Sequence, residues 1–479
     1  MVSALAAGGL AGIEENQMTN EEFRRYGHQA VDWMADYLEN IRDYPVLPAV
    51  EPGDLVDRLP AAAPERGESM DTILEDFEHS IVPALTHWNH PRFLAYFAIS
   101  GSPPGILGEM LTAALNVNGM LWKSCPALTE LEQVTLSWLR QWLGLPPEFF
   151  GIIYDTASIS SMHAIAAARE LADPEVRIHG NNGRLVLYTS EQSHSSIEKG
   201  AITLGVGQDN VRKIPVDENF RMRVDVLRDR MQADRQAGLK PFCVVATVGS
   251  TSTSSIDPVP AIADVAAEFG AWLHVDAAYG GAAAVVPELR GILDGAGRAH
   301  SLVVNPHKWL FTPIDLSVFY TRRPDILRRA FSLVPEYLKT GEDTRAVNYM
   351  DYGVQLGRRF RALKLWFVMR NFGHEGICKI IRSHIGYAQK LADLIRSNPD
   401  FEVAAPTPFS LICFRYRGSD DDNRALLENI NASGKAFLSH TVLNGRFVLR
   451  LAIGNIATEW QDLEEVWDLV KLTVPQPAT

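Results

Sequence analysis

The sequence predicts an α/β protein built on a large, mostly parallel sheet, preceded by a helical segment and followed by a smaller α+β unit. Three observations carry this. Between about 105 and 375, six short apolar runs alternate with helical stretches. The runs are apolar along their length, as strands buried on both faces are. Beyond 376 the texture changes to a long helix followed by interleaved strands and helices. With 479 residues, 46% hydrophobic and 22% charged, the chain suits an ordinary globular protein of about three domains. A net charge of −13 opposes a general nucleic-acid or anionic-membrane surface. Cys125, Cys243, Cys378 and Cys413 are scattered, which suits a reduced, cytoplasmic compartment.

In chain order, 1–18 is expected to be a disordered tail. Its opening MVSALAAGGLAG has no preceding basic residue and runs into Glu14 and Glu15, unlike a secretory signal. Residues 19–104 form a helical N-terminal segment. Thr19 and Asn20 are cap candidates for an amphipathic helix over 19–44, with Phe23, Tyr26, Ala30, Trp33, Met34 and Tyr37 at helical spacing. That stripe needs a surface to cover it. Residues 45–69 read as an extended connection, and a second helix near 70–82 leads into HWNHPRFLAYF.

The large domain, 105–375, holds strands at 151–156, 184–190, 242–249, 271–278, 301–307 and 316–321, with helices such as 159–172 and 259–269 between them. In such sheets ligands gather beyond the carboxyl ends of the strands. The closing unit, 376–479, has a helix at 376–397, strands at 410–416 and 447–453, and helices at 421–433 and 459–472. No stretch approaches 18 uninterrupted apolar residues, so no membrane span is expected.

Four strand-end features carry chemistry. Lys308, in Asn305-Pro306-His307-Lys308-Trp309, follows the run SLVV; desolvation there would disfavour its ammonium and free a nucleophilic amine. Asp276 ends the run AWLHVD, on the same face as Trp272 and His274, and a buried carboxylate there needs a partner such as a pyridinium. Thr156, Ala157 and Ser158 sit where a strand turns into a helix, so backbone N–H groups can approach a phosphate. His194, in Gln192-Ser193-His194-Ser195-Ser196, could stack on a planar ring. Singly, each has an ordinary explanation: a solvated lysine, a capping aspartate, a plain helix cap, a satisfied loop histidine. Together they supply an amine, a ring-nitrogen partner, a phosphate cradle and a ring-face contact, the set that holds a phosphorylated pyridine aldehyde. There is no GxxxxGK[ST] motif, which excludes a nucleoside-triphosphate loop. His87 and His90 have HxxH spacing but lack the acidic companion of a zinc helix, so no metal is expected.

With HWNHPRFLAYF, SCPALTELE, TSEQSHSSIEKG, HVDAAYGG, NPHKWL and LGRRFRALKLWFVMRNFG in order, the chain resembles the group II pyridoxal-phosphate decarboxylases of fold type I, the aromatic L-amino-acid decarboxylases most of all. The resemblance spans about Glu21 to Val470. It implies a seven-stranded sheet, pyridoxal 5′-phosphate as cofactor, and release of an arylalkylamine and carbon dioxide from tryptophan, phenylalanine, tyrosine or DOPA. By the same resemblance Lys308 forms the internal aldimine and Asp276 keeps the pyridine nitrogen protonated. His194 stacks on the ring, Ala278 meets its other face and Thr251 lies beside the ring hydroxyl. Thr156, Ala157, Ser158, Asn305 and His307 surround the phosphate.

A loop matching 332–345 carries Tyr337, assigned to protonation at Cα. Related aldehyde synthases replace this tyrosine or the stacking histidine, and both are retained here. Tyr96 and Phe97 match the substrate pocket, completed by Asn118 to Trp122 from the other subunit of a homodimer whose N-terminal helices wrap the partner. Two positions depart from the pattern: Ile99 stands where animal members have a hydroxyl residue, and Met120 replaces a phenylalanine. Other outcomes left open are an aldehyde synthase, or a decarboxylase of a non-aromatic amino acid.

Overall fold

In the computed structural model, which describes residues 18–333, 341–342 and 345–474, two sheets organise the chain. The N-terminal segment opens with α1 (Asn20–Glu39), capped as its sequence implies. Thr19 accepts the Glu22 N–H, and the Glu22 carboxylate accepts the Thr19 N–H in return. No residue of α1 is buried within the chain; Trp33 stacks on Tyr37 and meets Phe77 edge-on, while Phe23 stays 66% exposed. The connection over 45–69 contains a short helix, Asp54–Arg58, and α2 (Met70–Asp76) continues through a wider turn to Ile81. His87 and His90 are separately engaged: His87 Nδ1 pairs with the Tyr37 hydroxyl at 2.9 Å, and His90 Nδ1 accepts the Arg92 N–H at 2.9 Å.

Helices α3 (Pro103–Leu115) and α4 (Pro126–Trp142) lead into the large sheet. Its strands are β1 (Phe150–Tyr154), β2 (Leu185–Ser190), β3 (Val211–Ile214), β4 (Lys240–Thr247), β5 (Trp272–Asp276), β6 (Ser301–Val304) and β7 (Ser317–Thr321). They lie in the order β1-β7-β6-β5-β4-β2-β3; β7 runs antiparallel to both neighbours and the other pairs are parallel. The seventh strand is β3, whose sequence VRKI is too short and charged to announce itself beside the six apolar runs. Helix α5 (Ala157–Ala172) packs its alanine-rich face on the sheet, and α6 (Ser196–Thr203) packs on α5. Apolar clusters line both faces of the sheet.

After β7 comes α7 (Pro324–Phe331), and then α8 (Arg361–Ser397), longer than the expected 376–397. Gly373, at φ 64°, breaks α8 internally, so the helical pattern restarts just before 376. The last sheet has the antiparallel order β10-β11-β9-β8, from β8 (Phe401–Val403), β9 (Leu411–Tyr416), β10 (Ser439–Leu443) and β11 (Arg446–Ala452). Helices α9 (Asp420–Ala432) and α10 (Trp460–Thr473) cover it over a separate core.

Candidate active site

The carboxyl ends of the parallel strands converge on a cavity of ≈ 180 Å³. Thr156, Ala157, Ser158, His194, Thr251, Asp276, Ala278, Asn305, His307, Lys308 and Phe97 all line it, drawn from six separate stretches of sequence. The topology explains the meeting: β4, β5 and β6 are adjacent and parallel, so residues leaving their ends emerge side by side.

Lys308 sits in a one-turn helix, Pro306–Trp309, immediately beyond β6. Its Nζ lies 5.5 Å from the centre of the Phe97 ring. Burial lowers the lysine's pKa, and the Asp276 charge opposes part of that shift. Asp276, 6% exposed at the end of β5, accepts the Ala278 N–H at 3.1 Å. Behind it, the Trp272 indole N–H donates to Ser301 Oγ at 2.8 Å, and Ser301 Oγ pairs with His274 Nδ1 at 2.9 Å. The Asp276 face of the strand is thereby held rigid.

His194 Nδ1 accepts the Ser196 N–H at 3.2 Å and pairs with Ser196 Oγ at 2.8 Å. The ring's own proton therefore resides on Nε2. Burial lowers its pKa, Lys308 pushes the same way and Asp276 pushes back.

Part of the cavity lining offers donors. Thr156 caps α5 without a side-chain cap bond, leaving the N-terminal turn open. His307 Nδ1 accepts the Leu316 N–H at 2.9 Å, so its proton lies on Nε2, and burial lowers its pKa to about 3. Asn305 Nδ2 stands 3.2 Å from that Nε2, and its Oδ1 has no hydrogen-bond partner among the described residues. Only an amide oxygen can accept from Nε2–H. The amide is therefore assigned turned over, with its oxygen on Nε2–H and its NH₂ as the buried, unpartnered group. An unpartnered donor beside a helix N-terminus fits a phosphoryl group, and with Lys308 and Asp276 the residues present fit pyridoxal phosphate.

One wall is a column of near-parallel rings. Phe97 stacks on Tyr279 at 3.7 Å and 15°, Tyr279 on Trp309 at 4.9 Å and 10°, and Trp309 on His384 at 6.4 Å and 7°. The Trp309 N–H donates to His384 Nδ1 at 3.0 Å, fixing the column to α8. Sequence reasoning assigned no role to Tyr279, Ser196, Thr247 or Gly249, although each lies within a motif or run it singled out. It also missed Arg450. This buried guanidinium, from β11, donates to the Thr251 carbonyl at 2.6 Å, Ser252 O at 3.1 Å and Ser439 Oγ at 2.8 Å, clamping the loop that carries Thr251.

Tyr96, Ile99, Asn118 and Met120 are not among the residues lining this chain's cavity. Tyr96 borders a neighbouring groove with Thr251 and Arg450. Asn118 and Met120 are tied instead to residues 350–358. Tyr337 lies outside the described residues, as does most of the expected loop.

Residues 52–417 match the family model described as the pyridoxal-dependent decarboxylase conserved domain. The chain is 41% identical to tyrosine decarboxylase 4 of Petroselinum crispum, over 95% of this chain and 94% of that protein. It is 40% identical to a phenylacetaldehyde synthase of a Rosa hybrid cultivar, over 96% of each. The crystal structure of Catharanthus roseus tryptophan decarboxylase in complex with L-tryptophan superposes with a TM-score of 0.91, at 39% identity, covering 96% of this chain and 99% of that one.

Proposed function

Because the chain belongs to the pyridoxal-dependent decarboxylase family, we propose that it converts an aromatic L-amino acid (tryptophan, phenylalanine, tyrosine or DOPA) to the arylalkylamine and carbon dioxide. The observation that carries this is the convergence of Lys308, Asp276 and His194 on one cavity with an aromatic wall. Pyridoxal phosphate, the cofactor, supplies when bound an electron sink for the pair left on Cα as carbon dioxide departs.

The protein's own groups have distinct tasks. Lys308, its ammonium disfavoured by burial, offers its amine as the covalent anchor. The Asp276 carboxylate would hold a proton on the pyridine nitrogen, which keeps the ring able to take up electrons. His194 covers one ring face and Ala278 the other, with Thr251 beside the ring hydroxyl. Asn305, held in place by His307, cradles the phosphate together with Thr156, Ala157 and Ser158. Tyr337 would supply a proton to Cα, and the Lys308 amine would then displace the product amine from the cofactor.

Phe97, braced by its ring column, forms the aromatic wall for the substrate, with Tyr96 and Ile99 nearby in the chain and Asn118 and Met120 supplied by the partner subunit of a homodimer. That arrangement is supported by Asn118 and Met120 lying away from this chain's own cavity, by α1 burying nothing, and by Leu107, Leu111 and Leu115 exposed along one face of α3. The four cysteines, all free, suit the cytoplasm.

A second reading, oxidative deamination to the aldehyde, is favoured by the 40% identity to a phenylacetaldehyde synthase. Retention of both His194 and Tyr337 supports amine release instead. Supplying tryptophan, phenylalanine, tyrosine, DOPA, glutamate and cysteine sulfinate, and scoring amine, aldehyde and peroxide together, decides. The expected result is amine from an aromatic substrate without peroxide; stoichiometric aldehyde and peroxide, or turnover only of the acidic substrates, would overturn it.

A further inference from the structure

Segment 118–122 is held by the stretch 348–358. Arg358 N–H donates to Asn118 Oδ1 at 2.9 Å, and Gly119 N–H donates to the Arg358 carbonyl at 2.9 Å. Met350 N–H donates to the Met120 carbonyl at 3.2 Å and Trp122 N–H to Asn348 Oδ1 at 3.0 Å. Gly119 is packed so closely that a Cβ there would meet Leu128 Cδ2 at 2.3 Å. The segment has one seat.

The Arg358 side chain points the other way, into the core. Its Nη2 donates to Glu132 Oε1 at 2.7 Å and to the Ile153 carbonyl at 2.8 Å, while the same Glu132 oxygen accepts the Ile153 N–H at 2.8 Å. The guanidinium carbon lies 4.4 Å from the centre of the Tyr349 ring. The two charged side chains are only 8% and 1% exposed. A pair so buried adds little net stability, since desolvation offsets most of the attraction, but its directional bonds fix a register. Through it, the seat of 118–122 is referred to the backbone of β1 and to α4. Neither Arg358 nor Glu132 lines the Lys308 cavity.

We propose that the buried Arg358–Glu132 pair pins segment 118–122, making Arg358 a positioning residue that sets substrate specificity in the partner subunit's site through Asn118 and Met120. The inference rests on the shared-site reading above. Lysine at 358 keeps the charge but is a point donor without a planar face, so it cannot serve Glu132, Ile153 and Tyr349 together. Slack introduced there passes to Asn118 and Gly119, and leaves Lys308, Asp276 and His194 untouched.

The test uses the holoenzyme carrying Arg358→Lys or, should that variant not fold, the nearly isosteric Glu132→Gln. KM for tryptophan and tyrosine is expected to rise about tenfold with kcat within about twofold, and the ratio of kcat/KM between the two substrates to shift by at least about threefold. A hybrid dimer is then made from one Arg358→Lys subunit and one Lys308→Ala subunit. Its single competent site keeps its own Lys308 and receives the other subunit's intact segment, so KM is expected to return to within about twofold of the wild-type value. Unchanged KM in both variants overturns the inference, as does a hybrid that retains the variant's KM, because Arg358 would then act within its own subunit. An active monomer in sedimentation would remove the shared-site reading, and this inference with it.

Discussion

Asn305→Asp changes one atom that faces the cavity and keeps the bond behind it. The aspartate still offers an oxygen to His307 Nε2–H, where the Asn305 amide stands 3.2 Å away. The other terminus, the NH₂ once the amide is turned over to accept from His307, becomes a carboxylate oxygen. Loss of one hydrogen bond to a charged group costs about 1.5–3 kcal/mol, and an unfavourable charge against a phosphoryl group adds to it. A deficit of at least about 2 kcal/mol corresponds to pyridoxal phosphate binding roughly 30-fold weaker. Titration of apoenzyme with cofactor, followed by near-visible absorbance, measures this directly. Affinity within threefold of wild type at pH 8, in a variant of unchanged Tm, would refute the assignment of Asn305 to the phosphate end.

Other outcomes follow from the same geometry. Asp276→Asn keeps an acceptor for the Ala278 N–H, 3.1 Å away, but removes the charge; kcat is expected to fall by about 10²–10³ with Tm unchanged, and a loss below threefold would contradict the ring-nitrogen role. Tyr337→Phe is expected to release aldehyde and peroxide from the aromatic substrate, and production of amine alone would count against its proton-delivery role. Burial lowers the pKa of His163 and His307 to about 3 and of His274 and His384 to about 4. The unfolded chain titrates these groups near 6.5, so it binds more protons, and stability is lost as pH falls from about 6.5 toward 4. Each histidine contributes about 2 kcal/mol of that loss by pH 5. Asp257, raised by burial to about 6, has the opposite sign: its contribution is present at low pH and lost as pH rises through 6. With four histidines against one carboxyl, the urea midpoint is expected to be lower at pH 5 than at pH 7.5; an equal or higher midpoint would contradict the buried, neutral assignment.

The parts of the fold legible in the sequence were those where hydrophobic burial is symmetrical. Strands β4, β5 and β6 are buried along most of their length, so each carries a mainly apolar stretch whose closing residues mark the cavity. β3, at the sheet edge, carries Arg212 and Lys213 within four residues, and nothing local distinguishes it from a loop. Lys308 and Asp276 were legible only together with the other strand-end features, because each alone has an ordinary use and the combination does not. The unpartnered end of Asn305 was not, because it depends on which nitrogen of His307 carries the proton, and that is set by Leu316, nine residues further on. Arg450 was hidden for a related reason. In FVLRLAI it resembles a solvent-facing strand residue, and only the packing of β11 against the loop at 251–252 turns its guanidinium inward. Distant, specific contacts of this kind leave no periodic trace.

The central claim, that the amine of Lys308 is the covalent anchor of the cofactor, is tested most directly by borohydride reduction of the holoenzyme and peptide mass mapping. A single pyridoxyl-phosphate adduct on residue 308 is the expected result. An adduct on any other lysine, or none at full cofactor occupancy, would contradict it.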